Sequence, residues 1–349
     1  MTSRPLARGT LLAATAATLF GATIPIVQRA GTHVGPFATA ATLYLGAALA
    51  TIRLRVHPSP TLPRAASLRL LALATIGAVL APSALAFGLQ NTNAFHASLL
   101  QNLEGTFTLL LAWLLYREHL SKRVALAVSL MLLAGCTLVY AAPSTTAQSL
   151  SRGPWMVVLA VMLWAVDSTL TRPLADLDTV LVVRRKALLG VALAGLVALT
   201  RQEPLPTPSA ALVLLLCGAL GYGVSLRLYL LAQRLMGAGR TGAVFSLAPF
   251  VGALVAFVLH PSVPSRLTLV GAALAIVALW LHSTESHAHE HSHLVLAHEH
   301  AHRHDDGHHT HSHEGLASGH AEHSHWHEHS ALSHEHEHGD DLHHQHPHP

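Results

Sequence analysis

Charge is scarce in this 349-residue chain: Asp, Glu, Lys and Arg make up 11% of it, against 51% apolar residues. Cysteine is scarcer still, with Cys136 and Cys217 both inside apolar stretches. Two thiols so placed exclude a disulfide framework and a Cys-x-x-Cys metal site, and read as small buried residues. Up to residue 282 the chain also lacks a P-loop, a Gly-x-Ser-x-Gly elbow and a His-Glu-x-x-His pair. The missing P-loop speaks against an ATP-driven pump. The few basic residues are spread along the chain rather than gathered in a patch, which speaks against nucleic acid as a partner.

What remains is two kinds of chain. Up to about residue 282 it is rich in Leu, Ala, Val and Gly; beyond that it is almost entirely His, Glu, Asp, Ser and Ala. The apolar runs recur at lengths near 20, enough to cross ~30 Å of hydrocarbon at 1.5 Å per residue. Ten spans are expected, at 9–28, 34–52, 68–89, 95–115, 122–142, 153–172, 179–199, 209–231, 239–259 and 265–282. The first is too long for a signal-peptide core and reads as a retained helix. The clean apolar part of the seventh, 187–199, is too short to cross, so that helix must reach back through Arg184, Arg185 and Lys186. Basic residues gather on one side, from Arg4 and Arg8 through Arg53, Arg55, Arg64 and Arg69 to Arg117, Lys122 and Arg123. The positive-inside rule makes that side cytoplasmic. An even number of spans then places both termini in the cytoplasm, at the cell membrane.

Shifted by 144 residues, the chain aligns with itself without a gap. Arg8-Gly9 falls on Arg152-Gly153, Phe20-Gly21 on Trp164-Ala165, Gly77 on Gly221 and Ser121-Lys122 on Ser265-Arg266. Five spans per copy, an odd number, turn the second copy upside down. Inverted repeats mark secondary transporters, with the substrate site near the midplane between the halves. The expected fold is an all-α integral membrane protein of two inverted five-helix repeats, residues 1–142 and 153–282, followed by a tail over 283–349.

Ionisable residues inside lipid are functional candidates by default. Glu104, in LLQNLEGTFTLLLAW, falls near the middle of the fourth span, with Gln101 and Thr108 on the same helical face. A carboxylate so placed can carry a proton in a coupled cycle; alternatively it serves only as a helix–helix hydrogen bond. Asp167 and Lys186 lie near the cytoplasmic ends of successive spans and can pair, as a structural ion pair or as transport residues. Arg227 reads as a snorkelling residue. Tyr222, Ser225 and Tyr229 recur at helical spacing on one face of the eighth span, either lining a cavity or packing. His96 reads as an interfacial residue, and Asn91 and Asn93 as turn residues.

Several strings resemble the EamA family of the drug/metabolite transporter superfamily. They are FGATIP from Phe20, LYLG from Leu43, SLLQNLEGTFTLLLAWLLYRE from Ser98, WAVDSTLTR from Trp164, GYGVSLRLYLLAQR from Gly221 and RTGAVFSLAPFVGA from Arg240. Their order and spacing cover residues 8–282 and are similar to a subgroup with His-rich C-terminal tails. The resemblance implies that helices 1–4 of each repeat line a central cavity, with Glu104, Asp167 and Tyr222 on cavity helices. It implies that helices 5 and 10 lie outside, where they can form a homodimer. The family's proline in the fourth helix is present as Pro249, whereas Gly105 stands there in the first repeat. An Arg common in the family's second helix is replaced by Leu43, and Arg227 also departs from the pattern. The cargo implied is a small molecule, and no cofactor is required.

The tail holds most of the 30 histidines. Its composition predicts disorder. Imidazole with Glu and Asp offers exchangeable sites for Zn, Ni, Co or Cu. The densest run supplies His287, His289, His291, His293, His298, His300, His302, His304, His308, His309, His311 and His313. The membrane part holds no intramembrane pair of His or Cys to pass such ions on. The expectation is therefore a secondary active transporter, an exporter, of a metabolite or drug-like solute with a metal-binding tail. The alternatives are a divalent-metal transporter and a membrane metal sensor or buffer that transports nothing. An enzyme is not expected.

Overall fold

A computed structural model describes residues 3–52, 54, 64–116, 121–142, 152–171, 179–261, 263–283, 287–293, 296–302, 323–329 and 332–338. Two compact units separate, one of them residues 286–339. The larger unit is helical. Its first repeat runs through α1 (Ser3–Ala30), α2 (Pro36–Ile52), α3 (Arg64–Leu73), a π-helical segment (Ala74–Leu80), α4 (Ala81–Gln90), α5 (Ala94–Leu100), α6 (Leu103–Tyr116) and α7 (Lys122–Ala141). The second runs through α8 (Arg152–Thr171), α9 (Thr179–Thr200), α10 (Pro208–Cys217), a second π-helical segment (Gly218–Val224), α11 (Ser225–Met236), α12 (Ala238–Phe245), α13 (Ala248–Leu259) and α14 (Arg266–Ser283).

Helices are what an apolar chain must form in lipid, where backbone polar groups have no water to bind. Seven helical stretches among the described residues are long and apolar enough to span: Leu6–Ala30, Leu68–Gln90, Lys122–Ala141, Arg152–Leu170, Pro208–Met236, Arg240–Leu259 and Arg266–Ser283. The 17-residue α2 is apolar but shorter. The 22-residue α9 carries Arg184, Arg185 and Lys186 in its first half. Short polar side chains start several helices. Asn93 accepts from the Phe95 amide before α5, Ser121 from Val124 before α7, and Thr207 from Ala210 before α10.

The duplication is visible in the irregularities. The two π-helical segments begin at Ala74 and Gly218, 144 residues apart. The fourth span, expected as one helix over 95–115, is broken between α5 and α6 at Gln101-Asn102; its counterpart over 239–259 is broken at Ser246-Leu247. Asn102 turns its side-chain amide back onto the Leu99 carbonyl at 3.0 Å, and the Glu104 amide reaches only to Gln101. These three-residue closures tighten the chain out of the α-helix. Gln101 and Asn102 are buried, the condition under which non-helical backbone is tolerated at membrane depth.

Equivalent helices of the two repeats run antiparallel. α2 lies along α9 with the start of α9 at the end of α2: Arg184 donates to the carbonyls of Thr51 and Leu54. Glu203, just past α9, accepts from the amides of Phe37 and Ala38 at the start of α2, at 2.8 and 3.0 Å. α7 lies along α14, and the Arg123 guanidinium at the start of α7 sits over the Trp280 ring near the end of α14. α1 packs on α11 and α13 as α8 packs on α4 and α6. The halves are therefore inverted copies. Close approach depends on missing side chains: a Cβ on Gly218 would overlap the Leu43 main chain, and one on Gly21 the Ala248 carbonyl.

The composition of the tail predicts no regular structure, but the described part consists of four strands. β1 (His287–His293) pairs antiparallel with β4 (Leu332–His338), and β2 (Leu296–His302) with β3 (His323–His329). The register sets His289 opposite His336 and His300 opposite His325. The physical reason lies in the alternation itself: histidine at every second residue has the period of a strand, which bulk composition conceals.

Candidate functional site

Asp167 on α8 is 6% exposed, and its carboxylate forms an ion pair with Lys186 on α9. Successive spans bring the two together, as the sequence suggests. What lets the carboxylate in is Gly77, in the first π-helical segment: any Cβ there would overlap the Asp167 carboxyl group. The Gly77 carbonyl accepts two side-chain donors, the Tyr44 hydroxyl at 2.8 Å and the Trp164 indole N–H at 3.1 Å. One main-chain oxygen thus uses both lone pairs to tie α2 and α8 to the π-helical segment.

The mirror position is occupied differently. Gly221, in the second π-helical segment, lies against Thr23 of α1. Thr23 is 144 residues before Asp167, as Thr42 is before Lys186. A symmetric frame therefore carries charge on one side only. Next to Gly221, Tyr222 is buried among rings, its centroid 5.6 Å from Tyr44, 5.7 Å from Phe20 and 6.4 Å from Trp164. Among the described residues the Tyr222 hydroxyl has no hydrogen-bond partner.

Glu104 lies in the first turn of α6. The sequence places it mid-helix; the break at Gln101-Asn102 puts it at a helix N-terminus instead, where main-chain N–H groups favour a carboxylate. α6 packs on α8, which carries Trp164 and Asp167. The Glu104 carboxylate makes no hydrogen bond to the described residues. Its counterpart in the second repeat is Ala248.

The remaining candidates divide. Gln101 does not continue the helical face of Glu104; it sits in the break, buried, with its side-chain N–H groups unpartnered among the described residues. The Thr108 hydroxyl binds the Glu104 carbonyl within its own helix, at 2.9 Å. Ser225 donates to the Ala16 carbonyl at 2.8 Å, a contact that fastens α11 to α1. The Tyr229 ring lies 4.8 Å from Phe245, whose own ring is 5.8 Å from Phe20, so Tyr229 extends the cluster. Arg227 is exposed. His96 is buried, with Nε2 3.0 Å from the Thr268 hydroxyl. Phe20, Tyr44, Trp164 and Gly77 escaped the sequence reading as site residues. The signal was present in the repeat, where Phe20 aligns with Trp164 and Gly77 with Gly221.

Gly237–Gly242 has the glycine spacing of a dinucleotide loop, but it follows the helix α11 rather than the strand such a loop requires. Among the described residues no three His, Cys, Asp or Glu side chains gather as metal ligands. His287, His289, His291 and His293 fall in β1, and His298, His300 and His302 in β2. His304, His308, His309, His311 and His313 lie outside the described residues.

Comparison with known proteins adds three findings. The EamA-like transporter family matches residues 7–141 and again residues 151–284. The starts of the two matches are 144 residues apart, the period of the π-helical segments. An uncharacterized transporter of Methanothermobacter thermautotrophicus is 31% identical over 198 residues, 54% of this chain and 57% of that protein. The likeness thus spans little more than half the length of that relative. A solved crystal structure shares the fold, with a TM-score of 0.59 at 19% identity, over 79% of this chain and 98% of the other.

Proposed function

Because the chain belongs to the EamA-like transporter family, we propose that it exports a small metabolite or drug-like solute by alternating access, as a secondary active carrier and not an enzyme. One observation carries the reading. Asp167 and Lys186 pair against Gly77, whose carbonyl holds Tyr44 and Trp164, where the first helix of one inverted repeat crosses the third span of the other, and α6, which carries Glu104, packs on the same α8. Charges placed there are costly in lipid unless they serve a pathway. Glu104 is the proton-coupling residue, since its carboxylate is held without a hydrogen-bond partner among the described residues. Asp167 and Lys186 form the ion pair that opens and closes with the cycle.

In this reading the protein lies in the cell membrane with both termini in the cytoplasm, and the exposed faces of α7 and α14 can meet in a homodimer. The His-rich tail binds Zn, Ni, Co or Cu and adjusts transport rather than performing it. A metal cargo would need several ligands converging in the membrane part, and the described residues offer none.

Untargeted mass spectrometry of cells and medium tests the reading, comparing cells that express the chain with cells that express Glu104→Gln at matched level. The cargo is enriched in the medium by the first and not by the second. If no solute differs between the chain and an empty vector, the transporter assignment fails. If the variant exports the same solute at every pH, Glu104 is not the coupling residue.

A further inference from the structure

Packing sorts the central helices into two bundles. One is α1 with α11, α12 and α13; the other is α8 with α4, α5 and α6. Each bundle joins the first helix of one repeat to the third and fourth spans of the other. The bundles meet at one end. There α5 packs on α13 and on α1, and α4 packs on α1. Inversion carries these pairs onto α12 with α6, α12 with α8 and α11 with α8 at the opposite end, and among the described residues none of the three packs. The protein is therefore closed where α5 stands and parted between α6 and α12.

The closed end is tight because one side chain is missing. A Cβ on Gly252 of α13 would lie 2.8 Å from the Ser98 hydroxyl oxygen of α5 and 2.9 Å from the Gly21 carbonyl oxygen of α1. Ser98 is fully buried there. The shift of 144 residues maps Ser98 onto Gly242 of α12, and Gly252 onto Thr108 of α6. The pair is again one glycine and one small hydroxyl residue, but the glycine has changed helices. A Cβ on Gly242 would meet nothing within 4 Å. Small residues let membrane helices approach closely. Gly242 makes no use of its size in this state, and the equivalent of Ser98 against Gly252 gives it a use in the other.

We propose that Thr108 and Gly242 form the contact that closes the opposite gate. When the repeats exchange shapes, α6 and α12 come together with the Thr108 side chain against Gly242, and Ser98 parts from Gly252. The breaks at Gln101-Asn102 and Ser246-Leu247 are the hinges, since they free each half of a broken span to follow its own bundle. In the orientation proposed above, the parted end is the cytoplasmic one. This assignment rests on the transporter reading and deepens it.

The test uses the full chain in liposomes, with Cys136→Ser and Cys217→Ala as background. Thr108→Cys with Gly242→Cys is oxidised by copper phenanthroline, and the thiols left are counted with a PEG-maleimide. A disulfide holds its Cβ atoms ~3.8 Å apart. Nothing lies that close to a Cβ at Gly242 in this state, so the cross-link reports the other one. Thr108→Cys with Gly195→Cys is the control. α6 does not pack on α9, nor α13 on α2, so those thiols meet in neither state. Loss of both thiols is expected in the first pair and not in the control. A second arm compares Gly242→Leu with Gly195→Leu, two positions where a Cβ meets nothing within 4 Å. Both variants should fold, as circular dichroism and monodisperse elution show. Gly242→Leu is expected to lose the export that mass spectrometry of cells and medium detects, and Gly195→Leu to keep it. If folded Gly242→Leu still exports, or the 108–242 pair keeps its thiols while the parent chain exports, the gate assignment is overturned and the transporter reading stands. If the pair keeps its thiols and the parent exports nothing, both fail.

Discussion

At the scale of single residues, the energetics of the site turn on Asp167 and Lys186. Two charges out of water are expensive, and the pair survives because each cancels the other. Their counterparts in the first repeat, Thr23 and Thr42, show that the same frame closes without charge. Asp167→Asn leaves Lys186 unmatched and is expected to cost roughly 3–5 kcal/mol. Asp167→Thr with Lys186→Thr, which installs the residues of the other repeat, should recover most of that loss. Thermal midpoints in detergent check this; a double variant less stable than Asp167→Asn would show that the pair is not the source of the cost. Transport by the double variant is expected to be lost, because the frame is restored but the charge is not. Pairing was legible in the sequence because the two residues lie on successive spans. The ring cluster was not, because Phe20, Tyr44, Trp164 and Tyr222 are single aromatics far apart in a chain where aromatics make up 5%.

At the scale of elements, α2 and α9 form one unit clamped at both ends. Glu203 binds the first free amides of α2, and Arg184 binds the carbonyls of Thr51 in its last turn and of Leu54 just past it, the ends where a helix dipole favours an anion and a cation respectively. Glu203→Ala should cost about 1 kcal/mol through the lost cap. Arg184→Lys should cost less than Arg184→Ala, since both carbonyls bind one guanidinium nitrogen, Nη2, and a single ammonium has the donors to bind both. Melting curves of the three variants check both; a loss in Arg184→Lys as large as in Arg184→Ala would show that the reach of the guanidinium matters rather than its charge. The extents of α2 and α9 were readable from hydropathy, the latter because its basic turn had to be included to make up the length. The break before Glu104 was not. A window of 19 apolar residues averages over a two-residue turn, and it takes the Asn102 side chain, folded back on Leu99, to mark where the helix stops.

At the scale of the molecule, the duplication was the most legible feature. A gap-free shift of 144 residues in the sequence returns as π-helical segments at that spacing, as helix breaks within one residue of it, and as antiparallel pairing of α2 with α9 and α7 with α14. The tail was less so, because its composition hides a period of two. Its separation from the membrane unit leads to the last prediction. The residues proposed for the pathway all lie before residue 283, so a chain ending at His282 should still insert and move solute at close to the full rate. Cellular Zn, Ni, Co and Cu, measured by mass spectrometry at matched expression, should fall with the truncation and stay unchanged in Glu104→Gln. Metal content that depends on Glu104 as well as on the tail would make the metal cargo. A truncated chain that inserts but transports nothing would make the tail part of the pathway. Dependence on the tail alone leaves the tail as a metal-binding appendage and Glu104 to a solute of another kind.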